Sequence, residues 1–431
     1  MKEEESVIKR TEPLASNPIR SPPPDGGFAA WMAVLAGFLL FFTTWGFSTA
    51  YGAFQHYYQT DLLTDKTPSQ LSWIGTVNAF FLISTGAVAG PLFDRGFLLH
   101  LMSAGCFMTT FGLMMLSLSH EYYQVLLSQG LCCGIGSRFI YVPALSLVST
   151  RFSTHRAIAV GIVTCGASIG GVIFPIIFIR LQPRIGFPWT MRVMGFIQLA
   201  CSCVAVPLFT ATAQPRHGSP RQLIHWNALT EWSFNAYGIA NFFMFMAYFI
   251  PLFYDPLFAT DVLHTSTDMG FYLISILNAG SVVGRLGSAM LTKRLHAGII
   301  LLTSLVASVA LIFAWIGTGT LISFAVLCSL FGIVSGVLIS VNPLVIAHPV
   351  VSPTPEMIGT RMGMQWLFSS LGVLIGAPIA GIIEGHGGAN GYLGLQTFSG
   401  AIMAAAAIFV TVPLLAVWRY DCSVKEGTIG S

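Results

Sequence analysis

Apolar runs of about twenty residues recur along the whole length of this 431-residue chain, and each is long enough to cross the hydrocarbon core of a bilayer. Six precede a polar break (28–51, 71–93, 97–118, 122–147, 157–179 and 189–212) and six follow it (234–258, 268–291, 298–316, 320–346, 362–383 and 395–417). In lipid no water is available to satisfy backbone groups, so such runs must be helices. The expected fold is an all-α membrane protein of twelve transmembrane helices. Composition agrees: 54% of residues are hydrophobic and 9% charged, against about a quarter charged in ordinary globular domains. With a formal net charge of +3 and basic residues scattered through short loops, the chain lacks the clustered basic face of a nucleic-acid binder.

The break contains Pro215-Arg216-His217-Gly218-Ser219-Pro220-Arg221 and divides the chain into equal halves. The expected organisation is a disordered cytoplasmic tail at 1–27, a six-helix bundle at 28–212, a cytoplasmic central loop at 213–233, a second six-helix bundle at 234–417 and a cytoplasmic tail at 418–431. An even number of spans puts both termini on one side. Most lysines and arginines fall on that side, among them Arg95, Arg151, Arg156, Arg216, Arg221, Lys293, Arg294 and Arg361, which marks it as cytoplasmic. Lys66, Arg180, Arg184 and Arg192 fall on the other. A multi-pass protein of the plasma membrane, with the lipid bilayer as its partner, is expected.

Seven of the eight cysteines sit inside apolar runs as small hydrophobes, and no Cys/His set has zinc spacing, so no metal site is expected. No phosphate loop and no nucleophile–base constellation stand out. Neither a cofactor nor an enzymatic activity is expected.

In Gly134-Ile135-Gly136-Ser137-Arg138-Phe139-Ile140-Tyr141-Val142-Pro143 a guanidinium stands halfway along a span. Arg near a helix centre costs roughly 2.5–3.5 kcal/mol on insertion scales, so it faces either a wet cavity or a neighbouring helix's carbonyls. Acidic residues are nearly lacking in the spans: Asp255 lies near the end of the seventh, Asp268 opens the eighth and Glu384 follows the eleventh. Arg138 and Arg285 therefore lack counter-ions, which points to an acidic small organic ligand held by planar, bidentate donors. Asn78, Asn278 and Asn342 are candidates for ligand hydrogen bonds or for interhelical ones. Tyr141, Tyr248 and Trp366 are candidates to line a cavity or to pack. His56 and His348, near helix ends, read equally as interfacial residues or proton carriers.

The entry to the first span, Pro24-Asp25-Gly26-Gly27-Phe28-Ala29-Ala30-Trp31, resembles the start of the monocarboxylate porter family within the major facilitator superfamily. Gly90 to Gly96, Ser149 to Ser153, Gly170 to Pro175, Asn278 to Arg285 and Ile358 to Met364 are similar to its fungal branch. The resemblance implies two six-helix bundles with alternating access and secondary active transport of a small organic metabolite. Asp94-Arg95 matches the superfamily's gating pair between the second and third helices, without its terminal Arg. In animal members an Asp and, four residues on, a carboxylate-binding Arg occupy the eighth helix; Ser281 and Arg285 stand there. A lysine of the first helix, tied to proton coupling, corresponds to Thr49. Lactate–proton symport is therefore not implied, a proton remains one candidate coupling ion, and the departures favour efflux of a larger secondary metabolite. Uptake of a monocarboxylate or vitamin is the alternative, and a non-transporting receptor with a porter fold is the reading from another class.

Overall fold

Every regular element among the described residues of the computed structural model is helical, as the absence of water along a bilayer span requires. The structure describes residues 26–84, 92, 95–149, 151–152, 155–212, 224–354, 357–387 and 391–429. The central loop through 223, the start of the N-terminal tail and Asp94 lie outside them.

The first helix, α1, runs from 28 to 62 in four pieces: Phe28–Thr43, Trp45–Thr49, Tyr51–Tyr57 and a π turn, Tyr58–Leu62. Thr43 and Thr44 hydroxyls donate back to Leu39 and Leu40 carbonyls at 3.2 and 2.6 Å, which bends a helix at the point where it is interrupted. The helix passes well beyond the apolar run at 28–51, because Phe54, Gln55, His56 and Tyr58 are buried against neighbouring helices. Next come α2 (Pro68–Ser84), α3 (Leu98–Leu116) and α4, which spans 122–149 as Tyr122–Val125, a π segment Leu126–Cys132, and Cys133–Ser149.

A single straight helix over the 57 residues Arg156–Thr212 would be about 85 Å long, far more than a bilayer core of about 30 Å. Gly186, at φ +74°, breaks it into α5 (156–185) and α6 (187–212). Only glycine takes that conformation without cost.

The second half holds α7 (Trp232–Asp261), α8 (Thr267–Leu291), α9 (Ala297–Trp315), α10 (Leu321–Ile346), α11 (Ile358–His386) and α12 (Gly391–Ile429). Ser266 and Thr320 cap α8 and α10 through their hydroxyls. α12 continues twelve residues past the apolar run that ends at 417, since its polar last turns can be helical in water. Ten stretches among the described residues are long and apolar enough to span; one is the α5–α6 pair, and the described part of α2 stops at Ser84.

Small residues bring helices into backbone contact. Gly284 of α8 lies against the Ile333 carbonyl of α10, and Gly376 of α11 against the Met246 carbonyl of α7, with no room for a Cβ at either position. The glycines of the Asn278–Arg285 motif thus serve helix packing.

The halves meet along a seam in which α2 packs on α11, α5 on α8, and the far part of α1 on α7 and α8. Contacts concentrate at the end opposite the chain termini. There Tyr254 meets Ser72 at 2.7 Å, the tilted rings of Tyr51 and Phe253 lie with centroids 4.7 Å apart, and Arg180 Nη2 donates to Tyr272 Oη at 2.9 Å. That end is sealed.

Candidate functional site

Arg285 stands near the middle of the seam. α8 carries it one helical turn after Ser281, and its Nε donates to Ser281 Oγ at 3.3 Å. The Ser168 hydroxyl of α5 donates to the same oxygen at 3.2 Å, so two hydroxyls, one from each half, meet beside the guanidinium. Arg285 is only 4% exposed. Its charge reaches Tyr141 of α4, Cys165 of α5 and Tyr248 of α7, which places it where helices of both halves converge.

Arg138 is 3% exposed on α4, and its charge and that of Arg285 both reach Tyr141. Its Cζ is 5.0 Å from the Tyr141 ring centroid, a cation–π arrangement, and Nη1 donates to the Leu82 carbonyl of α2 at 3.2 Å. Of the two roles open to this residue, a neighbouring helix's carbonyl is therefore filled in part. Its Nε is buried without a hydrogen-bond partner among the described residues. So is the indole Nε1 of Trp45, whose ring centroid is 5.9 Å from that of Tyr141.

The ion pairs among the described residues are Lys66–Asp65 and Arg361–Glu231, so no carboxylate among those residues neutralises Arg138 or Arg285. A buried cation without an anion costs several kcal/mol. Each half contributes a group of aromatic rings, linked to the arginines through Tyr141 against Arg138 and Tyr248 within reach of the Arg285 charge. Phe41, Trp45 and Tyr141 contribute from the first half; Phe245, Tyr248 and Trp366 form the matching group in the second, at centroid spacings of 5.6 to 5.9 Å.

The asparagines divide. Asn278 donates to the Ile274 carbonyl of its own helix at 3.0 Å, and its carbonyl end lies with the Thr49 hydroxyl on the bare face of Gly171, at the seam. Asn78 is committed elsewhere: it accepts from Ser48 Oγ and donates to the Gln129 carbonyl at 2.8 Å, tying α1, α2 and α4 together. Its expected ligand role is thus replaced by interhelical bonding, because both ends of the amide are used. Asn342 is likewise bonded to Asn241 and Tyr237 within the second half. Of the expected gating pair, Arg95 is exposed and Asp94 lies outside the described residues. His56 is buried in the seam, edge-on to Phe271 at 5.4 Å.

Three features escaped sequence reasoning. Tyr254 joins the halves through Ser72; Arg361 binds Glu231 at the opposite end; and Asp255 meets the Cys328 thiol in the interior. The signal for the last was present, since an ionisable residue in a span is a functional candidate by default. For the other two no local pattern exists.

Residues 33–377 match the family described as Major Facilitator Superfamily. The protein named MFS-type transporter dbaD, of Emericella nidulans, is 36% identical over 388 residues, covering 90% of this chain and 86% of that protein. The Fujikurins efflux protein of Gibberella fujikuroi is 37% identical over 399 residues, covering 90% and 83%. The Aspyridones efflux protein apdF of Emericella nidulans is 36% identical over 402 residues, covering 93% and 80%. Among solved structures, a bacterial homologue of the human lysosomal transporter Spinster, in an inward-facing and unoccupied conformation, matches with a TM-score of 0.64. It shares 17% identity and covers 91% of this chain and 98% of that one, a likeness of fold.

Proposed function

The chain belongs to the major facilitator superfamily and is a multi-pass transporter of small organic molecules, and from that premise we propose that it exports an acidic, ring-containing secondary metabolite by alternating access. The observation that carries this reading is the pair of buried guanidiniums, Arg138 and Arg285, with no carboxylate partner among the described residues. The missing anion is the cargo. A carboxylate or acidic enol would accept from Arg285, and a second oxygen would accept from the unpartnered donors Arg138 Nε and Trp45 Nε1. Asn278 supplies a further hydrogen bond at the seam, and the two aromatic groups clasp a flat ring system between the halves.

Export rather than uptake is supported by two relatives named as efflux proteins. The finer placement, in the fungal branch of the monocarboxylate porters, rests on the motifs around Phe28, Asn278 and Ile358. In that frame Asp94 and Arg95 form a gating pair at the inner end. The excess of basic residues on the side of the termini puts both termini in the cytoplasm of a plasma-membrane protein. Impermeant thiol reagents applied to intact cells should then miss Cys422, and labelling before permeabilisation would reverse the orientation.

The test is a comparison of intracellular and extracellular metabolites in the host organism with and without the protein. Loss of the protein should raise the intracellular share of one acidic metabolite. An unchanged partition of every metabolite counts against transport of this kind, and a fall in the intracellular share would make it an importer.

A further inference from the structure

Asp255 is 1% exposed, in the outer third of α7. Its Oδ2 accepts from the Cys328 Sγ of α10 at 3.5 Å, and its Oδ1 has no hydrogen-bond partner among the described residues. No cation among the described residues pairs with the carboxyl, and a carboxylate in such a place loses its hydration with nothing in return, so the pocket accommodates the neutral acid.

The other titratable groups on the packed helices look elsewhere. His56 of α1 is within electrostatic reach of Asp261 and Asp61, and Glu384 of α11 within reach of Asp261. Tyr392 of α12 donates to Asp261 Oδ2 at 2.7 Å, and Tyr254 of α7 bonds Ser72 and the Ala377 carbonyl. Asp268, at the start of α8, is exposed.

The backbone around Asp255 is built to move with the seam. Pro251 and Pro256 bracket it, and each removes a donor from the helical ladder. The carbonyl deprived by Pro256 belongs to Leu252, and it is against this carbonyl that Gly52 of the other half packs. Phe253 and Tyr254, the two residues before Asp255, are themselves seam residues, meeting Tyr51 and Ser72. Opening the outer end must therefore displace the segment that carries the acid.

We propose that Asp255 is a proton switch on the outer end of this transporter, neutral while that end is sealed and exchanging its proton with outer water when it opens. The inference rests on the transport reading above. In the exchange the carboxyl O–H bond breaks, the proton passes to water, and the carboxylate left behind is hydrated by the solvent that the opened seam admits. Reclosure requires the proton back. The Cys328 thiol, donating to Oδ2, orients the carboxyl in the sealed state.

The experiment is infrared difference spectroscopy on the full-length protein in liposomes, with the proton as the probe. At neutral pH the wild type should show a protonated-carboxyl band that shifts in heavy water, disappears as pH is raised, and is absent in Asp255→Asn. Cys328→Ala should shift the band without abolishing it. The proposal is overturned if no band depends on Asp255, or if the band neither exchanges in heavy water nor titrates. Should Asp255→Asn not fold, Asp255→Glu and Cys328→Ala carry the same comparison, because each must move the band. In cells, efflux by the wild type should fall as external pH rises, by up to about tenfold per unit where return of the proton limits reclosure, and should be flat in Asp255→Asn. Failure of the transport reading would leave the band in place with metabolite partition unchanged, whereas failure of the proton site removes the band whatever the partition.

Discussion

Tyr254 of α7 and Ser72 of α2 share a hydrogen bond of 2.7 Å across the seam between the halves, and the tyrosine hydroxyl also lies 3.1 Å from the Ala377 carbonyl of α11. Three helices, one from the first half and two from the second, are tied at one buried oxygen near the sealed end. For alternating access this seal must open in each cycle, so its strength sets how often the outer end is open.

Tyr254→Phe removes that oxygen while keeping the ring. A buried hydrogen bond contributes about 1 kcal/mol, which corresponds to roughly a fivefold change in an equilibrium between sealed and open. Gln55 is fully buried beside the same seam. A cysteine placed there should react about fivefold faster with an impermeant reagent from outside in the Tyr254→Phe background. Equal rates would mean that the hydroxyl does not hold the seal.

At the opposite end, Arg361 is 1% exposed and grips Glu231 through both terminal nitrogens, with Nη1 to Oε2 at 2.5 Å and Nη1 to the Val351 carbonyl at 2.7 Å. Glu231 just precedes α7, so the pair anchors the end of the connection between the halves to the start of α11. Glu231→Gln leaves the guanidinium buried without an anion. With the Glu231 side chain 35% exposed, the low end of the range for a broken buried pair applies, about 3 kcal/mol. The melting temperature in detergent should fall by several degrees, and Arg361→Met combined with Glu231→Gln should recover part of it. No change in melting would show the pair to be energetically idle.

Arg285→Lys keeps the charge and loses the planar fork. Ser281 and Ser168 remain to bond each other, so the variant should reach the membrane at normal abundance. Efflux of the acidic metabolite should drop at least about tenfold, the equivalent of one charge-assisted hydrogen bond. Undiminished efflux at all intracellular concentrations would remove Arg285 from the site.

Arg138→Met preserves the length that packs over Tyr141 and removes a charge with an unpartnered Nε. Stability should hold or rise, since replacing a poorly compensated buried charge by an apolar side chain is often favourable. Apparent affinity for the acidic metabolite should fall roughly ten- to a hundredfold, and less for a neutral analogue. Measured against substrate concentration at matched abundance, an unchanged affinity would leave Arg138 as a helix-pairing residue through Leu82.

The helical spans and the two arginines without acids were legible in the sequence, because hydropathy over twenty residues is a local property and an unpaired charge in an apolar run is conspicuous wherever the run ends up. Which partners those residues take was not. Asn78 and Asn278 look alike in sequence, yet the first is consumed by Ser48 and Gln129 while the second faces the seam, a difference set by which helix faces meet. The same holds for Tyr254 with Ser72, 182 positions apart, and for Arg361 with Glu231, 130 apart. Asp255 shows the limit most clearly. From the sequence it is an acid near the end of an apolar run, free to reach water; only the packing of α10 against α7 closes it in with a thiol and no cation, because desolvation depends on all the neighbours at once and no local pattern of residues encodes it.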